Sequence, residues 1–596
     1  MKKGFHNRVF ARVFLLNIAC FILSTAFVTS ISLDLFANEP DQTANINLAI
    51  EKIFNKNEKI YGEQLNFPSV LRDYYQTQQF TPLWIHNDQL ISQAKQLIKI
   101  IKNVGEEGLN PKDYHFVSIM EILGDGKNLE EEDIFSLNDD KISQYIKWIG
   151  KKKEDQDIEK LADLDVLLTD AFLTLSYNFL YGFAESKSSM KNSVIFTSIK
   201  KRAFESSKGE EIVHSLHNAI GVNKMEALLY GYLPHNNYYN ALKKEMIRFD
   251  KLAKSGEWLT IKELSKGKKI KLNERDERIP LIKDKFNLKC VSEDINCDVF
   301  DESLQKSVIE FQEMNGLISD GVIGWETIKT LNISPEERLE QVKINMDRVR
   351  VDSNLFDDST KIIVNIPEFV ARIYENGKEV LKTKVVVGMV SRKTPLVSGT
   401  IERVIFSPKW FVPDSILIKD KIPKITKDPQ FLKKMWMKVY VKGEKEEVNP
   451  ETIDWNNIEP GDVPYRIVQE PGGANALGRI KFVFRNIFDV YMHDTPSKDL
   501  FGKTKRTFSS GCIRLEKPVE VGEFILRNRE NWNKEKIEKA MFSGKERIEE
   551  LKTDEKVPLH VIYLTFSADD NEKVQFKNDV YGYDKEYAKI LQMKKL

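Results

Sequence analysis

Charge of one sign is the first thing this 596-residue chain lacks: Lys+Arg and Asp+Glu number 90 each, so the formal net charge is zero. A nucleic-acid partner normally leaves a basic surplus, and the composition offers none. Long hydrophobic runs are equally scarce. One, Val13–Leu33, follows Lys2, Lys3, Arg8 and Arg12 and stops at Asp34, and no second run of that length occurs. A basic start followed by an apolar stretch reads as a secretory signal over residues 1–37. Val28-Thr29-Ser30 or Leu35-Phe36-Ala37 offers small residues before a cleavage point. The run is also long enough to remain as a membrane tether. Signal peptide is the preferred reading, because small and hydroxylated residues crowd the end of the run. Asn17, standing where a lipobox needs leucine, argues against a lipoprotein site at Cys20. The rest of the chain is expected to be soluble and exported, in the periplasm or cell envelope.

Cysteine is nearly absent too. Four occur, and three remain once the leader is set aside: Cys290, Cys297 and Cys512. In an oxidising compartment Cys290 and Cys297 are placed to close a small disulfide loop, with two separate thiols as the alternative. Cys512 is then the odd one out, and an unpaired cysteine kept in an exported protein asks for a chemical reason. No cofactor motif or metal-ligand spacing is recognisable. His214 and His217 share a helical face without a third ligand, which reads as surface rather than as a metal site.

What is present fits a folded multidomain protein: hydrophobic content is 41%, charged content 30%, and the length suits three or four domains. Residues from about 40 to 60 read as a polar linker. A mainly helical region is expected over 58–242, with Leu161, Leu164, Leu168, Phe172 and Leu175 at helical spacing and Asp163, Asp165 and Asp170 interrupting them. Lysine-rich residues 243–278 read as a second linking stretch. Over Asp301–Ile333, Leu304, Val308 and Phe311 form a helical stripe that Gly316 stops, Asp320-Gly321 turns, and Ile328 with Leu331 begins another. The phrase Phe311-Gln312, Gly316-Leu317, Asp320-Gly321-Val322, Gly324 and Thr327 resembles the peptidoglycan-binding repeat, which implies a three-helix module over 279–335. From Lys361 the period becomes two. Phe369, Ala371 and Ile373 alternate, Asn376-Gly377 turns, and Val380 begins the return of a hairpin. Residues 414–478 read as an insertion at the sheet's edge, of the kind that covers a cleft.

In "FDVYMHDT" Phe488, Val490 and Met492 face one side of a strand, and Tyr491 and His493 the other. Fifteen residues separate His493 from Ser509-Ser510-Gly511-Cys512, a loop long enough to return the cysteine beside the histidine. A thiol needs such a partner, since the thiolate is the nucleophile and only a few per cent is ionised at neutral pH. Gly511 permits a sharp bend that would free main-chain N–H groups for an oxyanion. Read without the flanking phrases, Cys512 favours a buried inert thiol, since free cysteines are commonly buried.

The flanking phrases decide. "NIPEF", "VVVG", "TPLVSGTI", "SPKWFVP", "PGGANALGRIKF", "DVYMHDTP" and "SSGCIRL" appear in the order of the L,D-transpeptidase (YkuD-type) catalytic domain, over roughly residues 361–540. The layout is similar to the large periplasmic type of Gram-negative bacteria. The implied fold class is multidomain α+β: a mainly helical scaffold, the peptidoglycan-binding-like module, and a mainly-β catalytic domain over 360–545 with a capping insertion, completed by residues 546–596. The resemblance implies that Cys512 attacks a peptidoglycan stem tetrapeptide at its third residue, that D-Ala leaves, and that the thioester passes to a second stem, giving 3-3 crosslinks. His493 would be base and acid, the backbone around Tyr491 and Gly511 would hold the oxyanion, and carbapenems would acylate the same sulfur. Arg514 and Ser509 are candidate substrate-binding residues, Arg514 equally a brace for its loop. Ser510 stands where the motif usually has histidine, and Arg514 where many members have asparagine; both read as marks of the subtype. Hydrolysis as an L,D-carboxypeptidase, attachment of a protein to the wall, and a non-catalytic wall-binding scaffold remain open, while sortase and papain-like readings lack the flanking phrases.

Overall fold

The structure, a computed structural model, describes residues 42–591 except 57–58, 88, 125–133, 135–136, 149–154, 184–207, 266, 289–296, 460 and 570–572. The expected leader, Cys20 and Cys290 lie outside the described residues. Cys297 is in a disulfide, and Cys512 is the free cysteine among the described residues. The protein is multidomain α+β, and its described residues form two compact units. One comprises 42–102, 111–175 and 208–228, the other 103–110, 176–183 and 229–591.

The first unit is mainly helical. Helix α1 (Gln42–Lys56) stands where a linker is expected. Its polar composition hides Ile46, Ala49, Ile50 and Phe54, which recur at helical spacing and are buried. Helix α2 covers Pro68–Thr77 and α3 Asp155–Tyr181. Leu161, Leu164, Leu168, Phe172 and Leu175 are buried along α3 as their spacing predicts. Asp165 and Asp170, which read as interruptions, are fully buried and serve as anchors. Asp165 accepts from the Leu83 N–H at 3.0 Å, the Trp84 N–H at 2.7 Å and the Tyr75 hydroxyl at 2.6 Å. Asp170 accepts from the Asn66 N–H at 2.9 Å and the Phe67 N–H at 3.0 Å, and lies 2.7 Å from His115 Nε2. Carboxyl oxygens thereby satisfy loop N–H groups that secondary structure leaves unpaired. His217, read as a surface residue, hydrogen-bonds the Tyr74 hydroxyl at 3.0 Å.

Burial opposes charge on His115, but Asp170 and Glu63 outweigh it and hold the imidazole up at about 9. A folded-state value above the unfolded one stabilises the protein below the unfolded value, and that contribution fades as pH rises through the folded one. This unit is therefore expected to lose up to about 3 kcal/mol between about pH 6.5 and 9. Urea titrations across that range check it, and His115→Gln should flatten the dependence.

In the second unit, helix α4 (Asn237–Ser255) runs through the expected boundary at 243. The following stretch is not a loose linker either: Ile261, Leu264 and Ile270 are buried in one core with Ile282, Leu304, Val308, Ile328 and Leu331. Three helices build that module: α5 (Ile279–Lys285), α6 (Glu302–Met314) and α7 (Trp325–Leu331). Its sequence phrase has a physical basis. The buried Gln312 side chain accepts from the Gly321 N–H at 2.9 Å and donates to the Val322 carbonyl at 2.9 Å, so it clamps the Asp320-Gly321 turn. Helix α8 (Pro335–Val351) opens on a Ser334–Glu337 capping box.

The region from Lys361 onward is a sheet whose strands are β1 (Lys361–Asn365), β2 (Val370–Glu375), β3 (Lys378–Gly388), β4 (Val397–Phe406), β9 (Ile480–Phe484), β10 (Met492–His493), β11 (Thr507–Ser509), β12 (Ile513–Leu515), β13 (Arg547–Glu550) and β14 (Val557–Ile562). Strands β5 (Trp410–Phe411), β6 (Met437–Val441), β7 (Glu447–Val448) and β8 (Tyr465–Gln469) form a separate four-stranded sheet in the insertion, with its own core around Trp410, Leu417, Leu432, Val439 and Ile467. The main order is β9-β10-β12-β3-β2-β1-β14-β4-β13, β11 lies beside β3, and β9 also pairs β4, which closes the path on itself. The β2–β3 hairpin turns at Asn376-Gly377, both with positive φ (50° and 76°), as its two-residue loop requires. Inside lie Ile362, Val364, Ile373, Val385, Val387, Phe482, Met492, Ile513 and Leu515, all essentially inaccessible. Each such aliphatic or aromatic side chain contributes about 1.5–3 kcal/mol by leaving water. That core fixes which way the remaining residues of these strands point.

Candidate active site

Strand β10 is only two residues long, and Phe488, expected inward, is 38% exposed at a hairpin end beside Asp489, whose φ is +52°. The alternation still holds where it matters. Val490 and Met492 enter the core, and so does Ile513 on the neighbouring strand. The parallel β10–β12 register pairs Met492 with Ile513 and His493 with Arg514, and the Ile513 N–H donates to the Tyr491 carbonyl at 3.0 Å. Tyr491, His493, Cys512 and Arg514 therefore share the face turned away from the core. Cys512 stands beside Tyr491 and diagonal to His493, a relation that ring-sized side chains span. The Tyr491 and His493 rings meet edge-on at 5.7 Å. Tyr491 also packs against the insertion's core, so the site lies between the sheet face and the insertion.

His493 is buried, and its Nδ1 lies 2.5 Å from the Asp494 carbonyl oxygen. A carbonyl only accepts, so Nδ1 carries the proton and Nε2 keeps its lone pair. Asp494 is itself held: its carboxylate accepts from the Arg479 N–H at 2.9 Å and from Lys498 Nζ at 2.6 Å. Burial, reinforced by Arg514 and Lys481, pushes His493 down to about 3, against the pull of the Asp494 and Leu477 carbonyls. Burial likewise pushes the Cys512 thiol up, opposed by the Tyr491 N–H and hydroxyl, Lys481 and Arg514. Both shifts favour the neutral pair, so the resting site is a half-buried thiol beside a neutral imidazole. Chemically, a neutral imidazole with a free Nε2 lone pair can take up a thiol proton as a sulfur attacks. For the free enzyme, kcat/KM of acylation is expected to stay flat from about pH 5 to pH 8. An inflection near the ordinary imidazole value would refute the arrangement.

The loop before Cys512 is braced from within. Ser509, a candidate for substrate contact, is only 2% exposed. Its hydroxyl donates to the Cys512 carbonyl at 2.5 Å and accepts from the Gly511 N–H at 3.2 Å. It shapes the turn from within the loop. The Gly511 N–H, expected toward an oxyanion, is engaged by that same hydroxyl. Gly511 itself sits at φ +125°, in a region that favours glycine. The Tyr491 N–H lies toward the sulfur. Ser510 is exposed and accepts from Arg392 Nη1 at 3.0 Å.

Four contributors escaped the sequence reading. Arg392 forms a two-pronged ion pair with Asp420, on the helical turn Leu417–Lys421 of the insertion, so it ties that lobe to the cysteine loop. Thr394 Oγ1 donates to the Gly511 carbonyl at 2.8 Å and accepts from the Gly388 N–H at 2.8 Å. Tyr581 donates its hydroxyl proton to the Gly388 carbonyl at 2.6 Å and accepts from the Thr394 N–H at 3.1 Å. Lys481 on β9 pairs with His493 in register and places Nζ 3.6 Å from the Tyr491 ring centre. Only Lys481 carried a readable signal, as an outward residue between the inward Ile480 and Phe482. Among the described residues no cluster of His, Cys, Asp and Glu could hold a metal ion.

Comparison with known proteins gives three family matches. Residues 359–531 match the L,D-transpeptidase catalytic domain (YkuD), residues 69–246 a scaffold domain, and residues 286–331 the family described as "Putative peptidoglycan binding domain". A curated relative, "Putative L,D-transpeptidase" of Haemophilus influenzae, is 30% identical over 266 residues, covering 44% of this chain and 52% of the relative. The match thus spans about half the length of that relative. A solved structure of a fused Zn-dependent amidase/peptidase/peptidoglycan-binding domain-containing protein from Clostridium acetobutylicum is 12% identical. It covers 50% of this chain and 99% of that one at a TM-score of 0.14, too low to carry an argument. The chain carries a YkuD-type L,D-transpeptidase catalytic domain, together with a scaffold domain and a peptidoglycan-binding domain.

Proposed function

We propose that this protein crosslinks peptidoglycan by acyl transfer through Cys512. The carbonyl of the diamino-acid residue at position three of a donor tetrapeptide meets Sγ. As the C–S bond forms, the thiol proton passes to His493 Nε2, and the carbonyl oxygen becomes an oxyanion near the Tyr491 N–H. The C–N bond then breaks, His493 returns the proton to the departing D-Ala amine, and a thioester remains. The side-chain amine of a second stem attacks that thioester, His493 takes its proton, and the sulfur leaves and is reprotonated. The product is a 3-3 crosslink, and no cofactor is needed. The observation that carries this reading is a half-buried thiol diagonal to an imidazole whose Nδ1 proton is pinned on the Asp494 carbonyl.

Supplying the purified protein with tetrapeptide stems tests it. Release of D-Ala together with 3-3 linked dimers is the expected outcome. Trimmed tripeptides alone would make the same site an L,D-carboxypeptidase. No release, and no covalent adduct from a carbapenem, would leave a wall-binding scaffold. We also infer export to the cell envelope from the basic start and the Val13–Leu33 run. Recovery of the protein in the cytoplasmic fraction would overturn that inference.

A further inference from the structure

Three residues stand in one row across three strands on the outward face: Lys481 on β9, His493 on β10 and Arg514 on β12. Neighbouring strands lie about 4.8 Å apart, so each cation flanks the imidazole closely. Neither cation is neutralised. Among the described residues, Lys481 has no carboxylate at ion-pair distance; its close contact is the Tyr491 ring at 3.6 Å. Of the charge-bearing groups that act on it, Cys512 comes first, followed by Arg403, Glu546 and Asp489. Arg514 Nε is buried without a hydrogen-bond partner. Two uncompensated, partly buried cations beside a nucleophile form a site for an anion.

We propose that Lys481 receives the free terminal carboxylate of the donor stem's leaving residue. This rests on the transpeptidase reading and adds a substrate-binding residue to it. The direction of the reaction selects Lys481 over Arg514. The nucleophile is on β12 and the acid that protonates the leaving amine is on β10. The bond from the scissile carbon to the leaving nitrogen therefore runs from β12 toward β10. The leaving residue's α-carbon, which carries the carboxylate, continues the same way, toward β9 and the Lys481 ammonium. The Tyr491 ring beneath that ammonium fixes its position and leaves its N–H donors free. A carboxylate arriving there also screens a positive charge that holds His493 unprotonated, so the leaving residue that is to be protonated helps the imidazole take up the proton.

Binding without turnover tests this. In a Cys512→Ala background, a donor tetrapeptide with a free terminal carboxylate is expected to bind about tenfold more tightly than its C-terminal amide. Adding Lys481→Met should weaken the acid alone and bring the ratio to one, and Lys481→Arg should restore part of it. A ratio untouched by Lys481→Met would overturn the proposal, as would an equal loss for both peptides, which would mean that the lysine merely packs on Tyr491. The two readings fail separately. An intact Lys481-dependent ratio in a protein whose wild-type form releases no D-Ala would sink the transpeptidase reading alone. D-Ala release with a Lys481-independent ratio would sink only the carboxylate site.

Discussion

Cys512→Ala is expected to abolish acylation by stem peptides and by carbapenems, and His493→Ala to slow it about 10²–10⁴-fold, the usual contribution of a positioned general base. Where the proton starts decides the outcome. Burial raises the thiol and lowers the imidazole, so the free enzyme holds almost no thiolate for attack. Without His493 the sulfur must lose its proton to water while attacking, and the whole contribution of the base disappears. Intact-protein mass spectrometry reads the result directly: one adduct per chain in the wild type, mapped to Cys512, and a slow adduct in His493→Ala. The two losses should not add, because the residues act as one unit, and the double variant should resemble Cys512→Ala. In cells, 3-3 crosslinks should vanish with Cys512→Ala. If crosslinks and cell-wall phenotype both survived that substitution, the sheet domain would be idle and the chain a binding scaffold.

How much of this was legible in the sequence follows the range of the interactions concerned. Local periodicity located the hairpin at Asn376-Gly377, the stripes of the three-helix module and the outward pair Tyr491 and His493, since each depends on residues a few positions apart. The flanking phrases singled out Cys512. Side chains whose partners lie far along the chain were invisible. Asp165 looked like an interruption because the Leu83 and Trp84 N–H groups it holds are about eighty residues away. Arg392 and Thr394 meet the cysteine loop, with Tyr581 behind Thr394, only because β3 and β12 are neighbours. Polar composition misled at Gln42–Lys56 and beyond Lys243, where a narrow apolar stripe suffices to dock a helix or strap against a core. The role of Ser509 in its turn was hidden for a related reason: one hydroxyl can serve a ligand or its own turn, and its bonds to Cys512 and Gly511 appear only in the folded loop.

Gly388→Ala should be damaging out of proportion to one methyl group. Gly388 ends β3, and the loop after it folds back so tightly that an added Cβ would lie 2.2 Å from the Arg392 carbonyl oxygen and 2.7 Å from the Thr394 nitrogen. Both neighbours are backbone, so no side chain can swing aside and the loop itself must move. Overpacking of this kind costs about 1–3 kcal/mol. The functional loss is expected to be larger, because the displaced segment holds three contacts at once. Arg392 pairs with Asp420 and Ser510, Thr394 carries the Gly511 carbonyl, and Tyr581 bridges Thr394 to Gly388. Moving Gly511 moves the sulfur relative to Nε2, and a shift of about 1 Å can cost about 10²-fold in rate. Acylation is therefore expected to fall about 10²-fold in a protein that still unfolds cooperatively. Gly502→Ala, where an added Cβ meets nothing within 4 Å, should leave both rate and stability unchanged. If Gly388→Ala acylated at the wild-type rate, the bracing of the cysteine loop would have no part in placing the nucleophile.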